Sequence, residues 1–128
     1  MRDDLLDLLG WNSGTLDDLR SAGYAYLVQG HYETARTFFK ALSLITGSLY
    51  DTRTLGALHL ELGDYLAAIE TLDSALIAHP RDPLTHLNRA KALARLGYRR
   101  QALAAAEPLR AHEERRIATQ AQLLCDTI

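Results

Sequence analysis

The side chains that could carry acid–base or metal chemistry in this 128-residue chain are five histidines and one cysteine: His31, His59, His79, His86, His112 and Cys125. No His-Glu-x-x-His spacing occurs among them and no histidine lies close to the cysteine, so a zinc site lacks ligands at a usable spacing. His59 falls on the apolar face of a helical pattern and reads as a hydrogen-bonded core histidine, and His79 falls in the turn before Pro80. The "HEERR" run at 112–116 reads as a solvated helix face. Asp3–Asp4 and Asp17–Asp18 read as charges at helix N-termini, where the backbone dipole favours them. Neither a Gly-rich phosphate loop nor a nucleophile elbow is present. The expectation is a chain that is not an enzyme and uses no metal or cofactor.

Binding chemistry is the alternative, and charge is its first guide. Residues 81–116 hold nine Lys/Arg against four Asp/Glu, a balance of +5, while the remainder of the chain carries −7. Arg95, Arg99, Arg100, Arg110, Arg115 and Arg116 could meet phosphates, but Tyr98 is the one aromatic among them and the isoelectric point is about 6.2. Nucleic-acid binding is therefore not expected. No apolar run approaches the roughly 20 residues of a membrane helix, and "MRDDLLDLLGW" has the wrong flank for a secretory signal. Membrane insertion is not expected. The lone cysteine excludes an internal disulfide and fits a reducing cytoplasm.

The elements that would position any binding residue are helices. Val28 is the sole valine and isoleucine is scarce, so the β-branched residues that suit strands are missing, while Leu and Ala favour helix. "GHYETA" from Gly30 returns as "GDYLAA" from Gly63 and, blurred, as "GYRRQA" from Gly97, at intervals of 33 and 34 residues. That period predicts a helix–turn–helix array. Each Gly ends the first helix of a pair, because glycine takes the left-handed cap conformation without a Cβ penalty. The fold class is all-α: one domain of three stacked helix pairs at about 16–48, 49–82 and 83–110, with a capping helix at about 110–126. Leu19, Ala22, Gly23 and Tyr26 recur as Thr52, Leu55, Gly56 and His59, and Ala35, Phe39 and Leu42 recur as Ala68, Leu72 and Ala75. Their spacings of three and four place each set on one helix face. Pro83 opens the third unit and Pro108 interrupts its last helix; Leu109, Ile117, Ala121 and Leu124 then offer the cap its apolar side. Residues 2–9 form a further short helix, whose leucines and Trp11 are too apolar to stay wet. Arg89 stands where a core leucine belongs, so it must snorkel, find a carboxylate or lie outside the core.

The small residue, Gly-x-Tyr-x-x-Ala, the aromatic and the closing Pro of these units resemble the tetratricopeptide repeat, over about residues 16–110. "FKAL" at 39–42, Asp51 with Arg53, Leu55-Gly56 and Asp82-Pro83 narrow the resemblance to the class II, translocator-type chaperones of bacterial type III secretion. That resemblance implies a right-handed superhelix and a cytoplasmic protein that keeps a secreted cargo soluble. It also implies a possible homodimer through the N-terminal helix. Chaperones of needle or export-gate components, and general tetratricopeptide adaptors, remain alternatives.

In such arrays the first helix of each unit lines the concave face. Helical spacing and the family's geometry then point Arg20, Tyr24, Leu27 and Val28 inward from unit 1. From unit 2 they point Tyr50, Arg53, Ala57 and Leu60 inward, and from unit 3 Leu84, Leu87, Lys91 and Arg95. The expected groove is apolar at its centre, with Arg20, Arg53 and Lys91 free to fix a peptide's register on its carbonyl or acidic groups.

Overall fold

The computed structural model describes residues 7–128. Seven α-helices lie wholly within the described residues: α1 (Ser13–Val28), α2 (Tyr32–Thr46), α3 (Leu49–Glu61), α4 (Tyr65–Ala78), α5 (Pro83–Arg95), α6 (Arg99–Ala106) and α7 (Arg115–Thr127). A 3-10 turn over Glu107–Ala111 separates α6 from α7, where Pro108 removes a backbone donor. No strand occurs among the described residues. Each helix packs on its neighbours in sequence; α3 and α5 also meet directly, and α7 folds back onto α5 and α6. The expected helix over 2–9 lies mostly outside the described residues. Its end at 7–9 is helical, with Leu8 and Leu9 exposed.

One backbone device makes every pair. Gly30, Gly63 and Gly97 have φ of 83°, 82° and 85°. In each case the next residue's N–H reaches back five residues: His31 to the Tyr26 carbonyl, Asp64 to His59 and Tyr98 to Leu93. The glycine N–H donates one turn back, to Leu27, Leu60 and Ala94. This double closure satisfies carbonyls that the helix end would otherwise orphan. The following helix starts at once, so the turn aims two helices at each other with almost no slack.

Packing uses the small residues at the predicted positions. Ala35, Ala68 and Ala102 are fully buried, as are Phe39, Leu42 and Leu72. A Cβ on Gly23 would sit 2.9 Å from Phe38 Cβ, and one on Gly56 would sit 2.5 Å from Leu72 Cδ2. Those glycines exist for close approach of α1 to α2 and of α3 to α4, whereas Ala90 fills the same place in the third pair with its methyl fully buried.

The start of α1 departs from expectation. It begins at Ser13 on a reciprocal cap, in which Asn12 Oδ1 accepts from Thr15 N at 3.0 Å while Thr15 Oγ1 faces Asn12 N. Asp17 and Asp18 therefore lie beyond the first turn, and Asp17 instead pairs with Arg20 at 3.0 Å. The Asn-x-x-Thr spacing was the legible signal, and a polar cap outweighs acidic residues that come a turn too late.

Candidate peptide-binding surface

The basic residues of the first helices are the place to begin, because a charge must find a partner before it can serve a ligand. Arg20 on α1 grips Asp51 on α3 with two parallel bonds, Nε to Oδ1 at 2.7 Å and Nη2 to Oδ2 at 2.8 Å. The Asp51 side chain is fully buried, and Thr46 Oγ1 lies 2.7 Å from its Oδ2. Burial alone would raise the Asp51 pKa; bonds from Arg20, Thr46 and Ser48 outweigh it and hold the carboxyl below its ordinary value. The same hydrogen bonding to Asp51 raises Arg20 above its usual value.

One unit later the arrangement repeats with its parts exchanged. Arg53 Nη1 on α3 lies 3.0 Å from both oxygens of Asp82. Asp82 caps α5, accepting from Thr85 N at 3.0 Å, whereas α3 is capped by Ser48 and carries its carboxylate three residues later as Asp51. The carboxylate has moved from third position to cap, yet it meets the preceding arginine at the same junction. Burial would raise the Asp82 pKa too, and bonds from Thr85 and Arg53 lower it overall. Arg36 on α2 pairs with Asp64 at the head of α4, and Arg89 on α5 pairs with Asp73 on α4 at 2.6 Å. Arg89 has thus found a carboxylate at the edge of the core.

These pairs revise the expected groove. Arg20 and Arg53 are engaged as clips between units rather than free for a peptide's register. Leu87 stands where a third arginine would come and is fully buried in a cluster with Leu109, Ile117 and Ala121. It belongs to the junction with α7, not to the inner surface. The sequence pattern assigned Leu87 by position within the unit, but α7 has no counterpart in the repeat and covers that face. Leu27 is half-buried against the cluster of Ala35, Phe39, Leu42, Leu55 and Leu58. Tyr24, Val28, Tyr50 and Leu84 are exposed, at 52, 66, 43 and 36%. Ala57 and Leu60 are half-buried.

Leu60, Lys91 and Arg95 come together in a cleft of about 1040 Å³, which α7 walls on its far side with Gln120, Leu123 and Leu124. Arg99 enters the same cleft and donates to the Ile128 carbonyl at 2.7 Å. The α7 wall and Arg99 were absent from the expected groove. Their signal was the apolar spacing of Leu123, Leu124 and Ile128, which a one-sided view of the cap as core conceals.

The residues with catalytic potential are dispersed. Among the described residues no three His, Cys, Asp or Glu come together to hold a metal ion. His59 is half-buried with Nδ1 lacking a hydrogen-bond partner, in contrast to the bonded core histidine expected, and burial lowers its pKa. His86 Nε2 lies 2.7 Å from the Pro80 carbonyl. Burial raises the Cys125 pKa, the reverse of what a reactive thiolate needs. No described helix is long and apolar enough to cross a membrane.

Three helix pairs closed by the same glycine turn, clipped unit to unit and sealed by α7, match known proteins at two levels. The tetratricopeptide-repeat family profile matches residues 83–108, the third pair. This is the tetratricopeptide-repeat fold. Its repeats superpose on the type III secretion translocator chaperone SycD of Yersinia enterocolitica with a TM-score of 0.83 at 22% identity, covering 96% of each chain. SycD in complex with a peptide of the translocator YopD gives 0.82 at 22%, over 91% of this chain and 93% of that one. PcrH of Pseudomonas aeruginosa gives 0.72 at 22% identity, over 91% and 92%. No curated protein matches the sequence significantly. Within the matched residues the glycine turn at Gly97, Ala102 and the Pro83 start are retained, while Arg99 replaces the tyrosine of the repeat.

Proposed function

We propose that this chain is a non-enzymatic chaperone that holds a substrate of a bacterial type III secretion system soluble in the cytoplasm. It grips an apolar segment of that cargo along the inner face of its repeats. The observation that carries this reading is the likeness to translocator chaperones over nearly the whole length of both chains. A SycD structure with a YopD peptide and PcrH structures with the chaperone-binding regions of PopD and PopB support it. The exposed apolar side chains fit the same reading. Tyr24 and Val28 lie one turn apart on α1, with Tyr50 and Leu84 on the first helices of the next two units. Covering roughly 300 Å² of such surface would contribute about 7 kcal/mol before the cost of ordering the peptide. Leu8 and Leu9, exposed ahead of α1, suit a homodimer contact when no cargo is bound.

Co-expression with the translocator genes of the source genome tests the reading. The expected outcome is a soluble, stoichiometric complex with one of them, lost in the double variant Tyr24→Glu, Val28→Glu while helical circular dichroism is unchanged. Failure of every secretion substrate to co-purify would overturn the chaperone assignment; capture that survives the double variant would overturn the inner face as its site.

A further inference from the structure

The described basic residues divide into those with a carboxylate and those without. Arg20, Arg36, Arg53 and Arg89 each hold an aspartate from another helix. Lys91 and Arg95 form no ion pair among the described residues although both line one cleft, whereas Arg99 in the same cleft is engaged by the Ile128 main-chain oxygen at 2.7 Å. Lys91 is half-buried and its ammonium donates to the neutral Gln120 Oε1 at 2.7 Å. Burial lowers its pKa, and Arg116 on α7 lowers it further. Glu61 is the acidic side chain that lines the same cleft. A half-buried ammonium with a cationic neighbour and no carboxylate is an uncompensated charge, and an incoming anion would compensate it. Beside this charge the cleft offers aliphatic surface on both walls, Leu60 from α3 and Leu123 and Leu124 from α7. Its volume, about 1040 Å³, reaches the top of the range of roughly 300–1,000 Å³ that small-molecule sites occupy, and it is open along one side.

We propose that this cleft between α5 and α7 is a separate seat for an acidic, leucine-bearing stretch of a bound protein. An aspartate or glutamate meets Lys91 and Arg95, and a neighbouring aliphatic side chain lies between Leu60 and Leu123. The seat deepens the chaperone reading and rests on it for the identity of the bound protein as cargo. It is distinct from the exposed tyrosines and valine of α1 and α3, where the basic residues are already paired.

The test uses the full chain and three short fluorescein-labelled peptides of equal length, alternating leucine with glutamate, serine or lysine, measured by fluorescence anisotropy. The glutamate peptide should bind more tightly than the serine peptide by about tenfold, lose that margin at high salt, and exceed the lysine peptide by more. Lys91→Glu with Arg95→Glu should erase the preference for glutamate, Lys91→Arg should keep it, and Tyr24→Glu with Val28→Glu should leave it intact. Circular dichroism of each variant checks folding, and Lys91→Gln gives a milder loss should the double reversal unfold. Equal affinity for the glutamate and serine peptides, or a preference unmoved by charge reversal, would overturn the seat. Cargo capture by the wild type together with that negative result would sink the seat alone. A charge-dependent glutamate preference without any cargo would instead sink the chaperone reading and leave the seat.

Discussion

The two halves of the inner helices treat their basic residues in opposite ways. On α1 and α3, Arg20 and Arg53 reach forward to Asp51 and Asp82 and become part of the scaffold. On α5, Leu87 replaces the third arginine and seals against α7, while Lys91 and Arg95, farther along the helix, meet no carboxylate. The first half thus spends its charge on holding units in register and leaves tyrosine and valine outside. The second half closes its junction with hydrocarbon and leaves charge for something else. Position within a repeat therefore does not fix role; what covers the helix does.

Substitutions can break that comparison, and the largest effect should come at Leu87. Leu87→Ala should cost about 3 kcal/mol in urea unfolding, as cavities in closed cores do, whereas Leu84→Ala, one turn away from burial, should stay within about 0.5 kcal/mol. Equal costs would mean that α7 does not seal the third unit.

Asp51→Ala comes next. It removes the buried partner of Arg20 and leaves that partly solvated side chain with Asp17 alone, so a loss of about 2–3 kcal/mol is expected, below the full range for wholly buried pairs. The same clip carries a pH dependence. Asp51 and Asp82 have folded pKa values below their ordinary ones. Their contribution is therefore fully present above about pH 4, the unfolded aspartate value, and is lost as pH falls through the lower folded values. Thermal unfolding followed across that acid range should show a steeper loss in the wild type than in Asp51→Ala.

Gly56→Ala should cost about 2 kcal/mol, because its methyl would meet Leu72 side-chain carbons at 2.5 and 2.7 Å. Gly23→Ala, with contacts of 2.9 and 3.0 Å, should cost less. A neutral result at Gly56 would show that α3 and α4 can part as easily as α5 and α6 accept Ala90. The smallest effect on stability is expected at Val28→Glu, within about 0.5 kcal/mol by calorimetry, since Val28 is 66% exposed. A large loss there would place Val28 inside an interface of the free protein.

The residues themselves announced the repeat and its turns, because a left-handed cap must be glycine and a close helix crossing must be small. Gly30, Gly63, Gly97, Ala35, Ala68 and Ala102 are legible for that local reason. The all-helical class, the burial of Phe39, Leu42 and Leu72, and the apolar cap of Leu109, Ile117 and Ala121 follow from spacing alone. The partner of each charge does not. Arg20 and Asp51 stand 31 residues apart and Arg53 and Asp82 stand 29 apart, separations that no helical period predicts and that only the stacking of one pair on the next brings within 3 Å. The role of Leu87 and the cleft beside Lys91 depend likewise on where α7 lands, and α7 lies outside the repeat that made the rest readable. Local backbone chemistry set the units; the long-range closure of the last one decided which inner residues are core and which are surface.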